Sequence, residues 1–97
     1  MFLLDTYNAG QHGINPHLLW EYDMQTFDWQ KSRHIVVERV LEMGDFEDYY
    51  GAFDLYGIDG FRDIVKTIPR LTPRTANFAS LIFDIPKNQM LCYTHRR

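Results

Sequence analysis

The side chains best able to do chemistry in this chain are four histidines (His12, His17, His34, His95) and one cysteine, Cys92. They are scattered along it. No histidine pairs with a cysteine at zinc spacing, and neither His-Glu-x-x-His nor Glu-x-x-His occurs, so no metal ligands are expected. His34 and Glu38 share a helix face at i, i+4, a spacing that suits a surface contact better than a ligand set. Cys92 lies between Leu91 and Tyr93, three residues before His95. A thiol in apolar surroundings near a chain end is inert, and the spacing alone does not make a nucleophile and its base. The six glycines sit singly, without a phosphate-loop or dinucleotide pattern. Carboxylates gather at Glu21, Asp23 and Asp28, and again at Glu42, Asp45, Glu47 and Asp48. A glycosidase-type pair would need a cleft that so short a chain has little volume to form. The expectation is a protein without catalytic residues or a cofactor. A small hydrolase or transferase of unrecognised type is the remote alternative.

A second pattern points to binding. Thr72-Pro73-Arg74-Thr75 supplies an N-cap, a proline at the first helical position, and an arginine and a threonine in the first turn. With an amphipathic segment upstream that Pro69 stops, the outline is helix, turn, helix, as in DNA-reading domains. Two helices joined by a turn are equally common in any small α-domain. Arg62, Lys66, Arg70 and Arg74 would form a phosphate-contacting strip, with Asn77 beside them as a candidate nucleic-acid contact. Three features weigh against it. The turn over Thr67–Leu71 is long and lacks the usual glycine, the second helix offers a narrow polar stripe, and the whole chain is acidic.

Ninety-seven residues suit one domain, and an apolar fraction of 45% with seven Phe, six Tyr and two Trp argues for a packed core. The net charge of −3 hides an uneven split. Residues 1–61 hold three basic and eleven acidic side chains, a net −8; residues 62–97 hold seven and two, a net +5. Such asymmetry fits a nucleic-acid face, two halves that attract each other, or self-association as a homodimer. Met1-Phe2-Leu3-Leu4 is followed at once by Asp5 and has no basic region before it, so it does not read as a secretory signal. No run is long enough to span a bilayer, and a cytoplasmic location is the expectation.

The elements that would position these groups follow from periodicity and caps. Residues 1–15 read as an N-terminal extension whose aromatics, Phe2 and Tyr7, dock on the domain; residues 16–97 read as a single helical domain. Asn15 would cap a short helix from Pro16 to Glu21. Asp28 would cap a helix over Trp29–Met43, with Trp29, Val36, Val37, Val40, Leu41 and Met43 inward and Gly44 as its stop. Asp45 would cap Phe46–Tyr56, an aromatic stripe that Gly57 ends. A further helix starts at Asp59 and ends before Pro69, with Phe61, Ile64, Val65 and Ile68 inward. The last long helix runs from Thr72 to about Phe83, apolar nearly all round and therefore expected at the centre, paired with the Trp29–Met43 helix and with the Phe46–Tyr56 stripe against them. Leu91-Cys92-Tyr93 reads as an extended tail. The fold class is all-α, a compact bundle of four to five helices containing a helix-turn-helix-like pair.

Three motifs resemble a family of small bacterial domains of unknown function. They are Trp20-Glu21-Tyr22-Asp23, the stretch Ile35-Val36-Val37-Glu38-Arg39-Val40-Leu41-Glu42-Met43-Gly44, and Leu71-Thr72-Pro73-Arg74-Thr75-Ala76-Asn77-Phe78. The resemblance spans Leu18 to Cys92, with Ala79 where the family usually has tryptophan. It implies an antitoxin-like role, binding a partner protein such as a toxin, and picks out Glu38, Arg39, Arg74 and Asn77 as polar positions. A structural reading stands beside it, in which Arg39 pairs with an acid and Asn77 caps or bridges a turn. Trp20, Tyr49 and Tyr50 are the candidate anchors for that partner.

Overall fold

The structure is a computed structural model that describes Tyr7, Gly10 and residues 12–94. Phe2 and His95 lie outside the described residues, and so do Arg96 and Arg97. The domain is all-α, with no strand among the described residues. A 3-10 turn at Pro16–Leu19 leads into α1 (Arg33–Met43), α2 (Phe46–Tyr56), α3 (Ile58–Thr67) and α4 (Pro73–Phe83). A second 3-10 turn, Lys87–Gln89, precedes the short α5 (Leu91–Thr94), so the expected extended tail is helical.

Local chemistry accounts for most of the boundaries. Asn15 accepts the His17 N–H and opens the first turn, which closes at Leu19. Asp45 and Asp48 form a reciprocal capping box at the start of α2, each side chain accepting the other's backbone N–H. Thr72 accepts the Thr75 N–H and Pro73 follows at the first helical position. Gly57 ends α2 and begins α3 in a single residue, at φ 77° and ψ 157°, a conformation essentially reserved for glycine. The first long helix begins four residues later than Trp29. The Asp28 side chain accepts N–H groups from Gln30 and Lys31 and holds residues 29–32 as turns instead.

One core joins all four long helices. Val36, Val37 and Val40 of α1, Phe53 of α2 and Phe61 and Val65 of α3 are almost wholly excluded from water, as are Leu19, Ile68, Ile85 and Met90 from the connections. Phe53, Phe61 and Phe83 meet edge-on or tilted with centroids 5.2–6.1 Å apart, the arrangement that ring quadrupoles favour. The helices α1, α2 and α3 pack against one another, while α4 lies mainly on α1 and α5 on α3. The central pair is thus α1 and α3. The expected α1–α4 pair is overturned because α4 is covered on one side only: Ala76, Ala79 and Phe83 are buried, but Leu81 is 65% exposed. Apolar residues around a whole helix circumference did not make it central. Met43 and Phe46, expected inside, are exposed at the junction of α1 and α2.

Candidate functional site

Three polar clips tie the helices together, and of the polar residues that the sequence singled out they take up Arg39 and Arg62. The first is built on Glu42, near the end of α1. Its carboxylate accepts the Thr72 N–H at 2.7 Å, the Thr72 hydroxyl at 3.0 Å and the Thr75 hydroxyl at 2.9 Å. A first helical turn attracts negative charge through its unpaired N–H groups and its dipole. Here the chain supplies that charge itself, and the two threonines of Thr72-Pro73-Arg74-Thr75 face α1.

The second clip is Arg39. Its guanidinium donates to both oxygens of Glu21, at 3.0 and 2.5 Å, and to the Leu18 carbonyl at 2.8 Å. The hydrogen bond from Arg39 holds the Glu21 carboxyl down at about 2, and Glu21 in turn raises the Arg39 pKa. This pair fixes the Trp20-Glu21-Tyr22-Asp23 turn onto α1 and is the acid partner expected for Arg39. The third clip is Arg62 of α3, which donates from Nε to the Phe83 carbonyl at 2.8 Å and from Nη2 to the Asp84 carbonyl at 2.9 Å. A cation at the carbonyl end of a helix is favourable, and it supports Asp84 in its left-handed cap conformation at φ 54°.

These clips sort the candidate contacts. Arg62 is committed to capping α4 and is withdrawn from the proposed phosphate strip. Lys66 is half-buried, 4.0 Å from Asp63. Arg70, Arg74 and Asn77 are exposed on one end of the domain, around the first turn of α4. Arg70 also lines a cavity of about 270 Å³ with Pro69, Pro73, Ala76, Cys92 and Tyr93.

Among the aromatic candidates, Tyr49 is corrected outright. It is 5% exposed and packed against Phe53, Phe61 and Phe78, with centroids 6.1–6.4 Å away. Burial, with the Glu42 charge nearby, pushes its hydroxyl up to about 12. Its place on the α2 stripe made it apolar-facing, which is a core position. Tyr50 is half-buried beneath the Tyr7 and His12 rings. Trp20 alone of the three stands out, 78% exposed. It lines a groove of about 420 Å³ with Pro16, His17, Leu19, Tyr22 and Met24. Phe27 lies close by, edge-on to both Tyr22 and Trp29.

Sequence reasoning missed Glu42 and Thr75 as a docking pair, and it missed the acidic face of α2. Asp48 is 5% exposed, and Asp54 takes hydrogen bonds from the N-terminal segment. A glycine inside a helix, Gly51, was the available signal, since such a residue marks a close backbone approach. No three His, Cys, Asp or Glu side chains converge as a metal ion would require, among the described residues.

Fold and clips together define a small all-helical domain with an exposed aromatic groove at one place and exposed basic residues at another. The chain belongs to the Family of unknown function (DUF6922), which it matches over residues 14–65. That match takes in the Trp20–Asp23 turn, α1 and α2, and ends within α3; the Leu71–Phe78 motif lies beyond it. No curated protein and no solved structure matches the chain.

Proposed function

We propose that the domain is a non-enzymatic protein-interaction module, antitoxin-like in that it binds a partner protein such as a toxin, with Trp20 as its anchor. The observation that carries this reading is the 78% exposure of Trp20 beside an apolar groove. Tryptophan is usually well buried in a folded monomer and is the residue most enriched among energetic anchors of interfaces. The Arg39–Glu21 clip holds the turn that carries Trp20 against α1, so the anchor is presented from a fixed base. Such preorganisation lowers the ordering cost of binding. The surrounding half of the chain is strongly acidic, which suits a basic partner surface.

The test is co-purification with the product of the adjacent gene, comparing the wild-type chain with Trp20→Ala. Loss of an anchor of this kind weakens binding by about 2 kcal/mol or more, roughly thirtyfold. Equal recovery with both chains would sink the proposal, since Trp20 touches too little of the core for the substitution to act through folding.

The second reading is a DNA-binding regulator. What favours it is the shared exposure of Arg70, Arg74 and Asn77 about the first turn of α4. What opposes it is Glu42, whose carboxylate holds the N-terminal N–H of that turn where a phosphate would bind.

A further inference from the structure

The N-terminal segment is fastened to α2 by an unusual division of labour: the helix supplies carboxylates and the segment supplies main-chain N–H groups. Asp54 accepts the Gly10 N–H at 3.2 Å, the His12 N–H at 3.0 Å and the Tyr7 hydroxyl at 2.5 Å. Glu47 accepts the Gly13 N–H at 3.4 Å and meets the His12 ring nitrogen at 3.1 Å. Asp48 accepts the Asn15 N–H at 2.7 Å. The Tyr7 hydrogen bond, aided by the His12 and Gly10 amides, holds the Asp54 carboxyl below its usual range.

Glu47, Gly51 and Asp54 fall on one face of α2 at i, i+4 and i+7. At the middle of that face a Cβ on Gly51 would stand 2.8 Å from the Gly13 carbonyl carbon and 3.0 Å from the Ile14 nitrogen. Glycine in a helix interior costs roughly 0.5–1 kcal/mol relative to alanine. Its presence in α2 is accounted for by the main chain lying against it. The segment also covers apolar surface: Tyr7 lies tilted against Tyr50 and edge-on to Phe53, and a cavity of about 330 Å³ remains between Ile14, Trp29 and Leu55.

We propose that the α2 face bearing Glu47, Gly51 and Asp54 is a docking surface for an extended main chain, occupied in cis by the segment through Tyr7, Gly10 and His12–Asn15, and that this segment is a latch that opens without unfolding the domain. Two features make it separable. Its fastenings to α2 are polar bonds and one ring cluster, and none of the fully buried core side chains belongs to it, Tyr7 and Ile14 being only partly buried against that core. Opening uncovers Tyr50, the edge of Phe53 and the Trp29–Leu55 side of the cavity, together with the carboxylates that held the segment.

Amide hydrogen exchange on the full chain tests this, followed residue by residue by NMR. In the wild type the His12, Gly13 and Asn15 amides should be protected, yet exchange at least about tenfold faster than Phe61 and Val65 of α3, the mark of a local opening. Gly51→Ala strengthens the helix while obstructing the segment, so it should speed exchange at those three amides about tenfold and leave α3 unchanged. Asp54→Ala should do the same for Gly10 and His12. Exchange of the segment only in step with α3, or rates unaltered by Gly51→Ala and Asp54→Ala, would overturn the latch.

Discussion

Glu42 of α1 accepts the Thr72 N–H at 2.7 Å, so the start of α4 is sealed by a carboxylate from its neighbour. One oxygen of the same carboxylate lies within hydrogen-bond distance of both threonine hydroxyls, which stand 2.9 Å apart and share two protons among these three contacts. Thr72-Pro73-Arg74-Thr75 is therefore first an attachment device. It fixes where α4 sits on α1, while Arg74 and Asn77 stay exposed beside it.

Glu42→Ala should accordingly destabilise the domain by about 0.5–1.5 kcal/mol, the net worth of the hydrogen bonds lost, since the Thr75 hydroxyl keeps its Thr72 partner and the exposed Thr72 N–H turns to water. Urea denaturation followed by far-UV circular dichroism gives the change in midpoint. Thr75→Val, which removes one hydroxyl and keeps the shape, should cost less. Equal stability of Glu42→Ala and the wild type would show that the carboxylate is not what docks α4.

The Arg39–Glu21 pair carries a pH signature. The folded Glu21 carboxyl is lowered from 4.5 to about 2, first by the hydrogen bond from Arg39. A depressed carboxylate contributes stability above its unfolded pKa and loses it as pH falls through the folded one. The contribution is thus whole above about 4.5 and fades between there and about 2. Glu21→Gln should flatten that part of the acid limb in urea midpoints recorded against pH, and the effect should shrink in high salt because the group is open to solvent. An unchanged acid limb would remove Glu21 from the account.

How far the sequence spoke depended on whether a signal was local. Caps and stops are local, so Asp45, Gly57, Thr72 and Pro73 marked the ends of α2, α3 and α4 within a residue or so. Burial around a helix is not local. Leu81 and Phe83 look alike on the α4 pattern, yet one is exposed and one buried, because only packing decides which side of α4 meets α1. Side-chain partners across the fold were the least legible. Nothing in the types of Glu42 and Thr75, thirty-three residues apart, announces that they meet. Arg39 was readable as an ion-pair former, but its acid, Glu21, could be named only from the structure. Asp28 misled in an instructive way: its N–H acceptors are real, but they stabilise a turn and delay α1 to Arg33.

Tyr49 and Trp20 should behave in opposite ways when truncated. Tyr49→Ala opens a cavity between Phe53, Phe61 and Phe78 and should destabilise the domain by about 3–5 kcal/mol. Trp20→Ala should leave the denaturation midpoint within about 0.5 kcal/mol of wild type, since surface substitutions rarely do more. The comparison separates loss of partner binding from loss of fold. If Trp20→Ala unfolds the chain, the aromatic groove belongs to the core and the anchor reading falls.

Gly57 joins α2 to α3 with φ at 77° and ψ at 157°, a region where a Cβ is strained whatever the space around it. Beyond the neighbouring residues of the chain itself, nothing lies within 4 Å of where that Cβ would be, so local backbone strain is the effect to expect. Gly57→Ala should cost about 1–3 kcal/mol in urea denaturation. Gly60→Ala, whose Cβ would sit at an ordinary 3.6 Å from the Tyr56 Cβ, should instead be neutral or stabilising. Equal midpoints for the two variants would mean that the α2–α3 junction relaxes to another conformation.

The basic end of the domain yields the sharpest discrimination between the two functional readings. Arg70, Arg74 and Asn77 are exposed, but Arg62 is spent on α4 and Glu42 sits within the same turn. Few phosphates can be neutralised by what remains, and the −8 half of the chain repels a polyanion. Gel-shift titration with duplex DNA should therefore show no specific complex at physiological salt and at most weak, salt-sensitive retardation below it. If a shift appears, Arg74→Ala should weaken it, while Arg62→Ala should act through stability instead, by uncapping α4. A salt-resistant, sequence-dependent complex lost on Arg74→Ala would displace the partner-protein reading in favour of a DNA-binding regulator. Neutralising Glu42 with Glu42→Gln then supplies the decisive control. It should strengthen any phosphate contact at the first turn of α4, because the acceptor that fills that position would no longer carry charge.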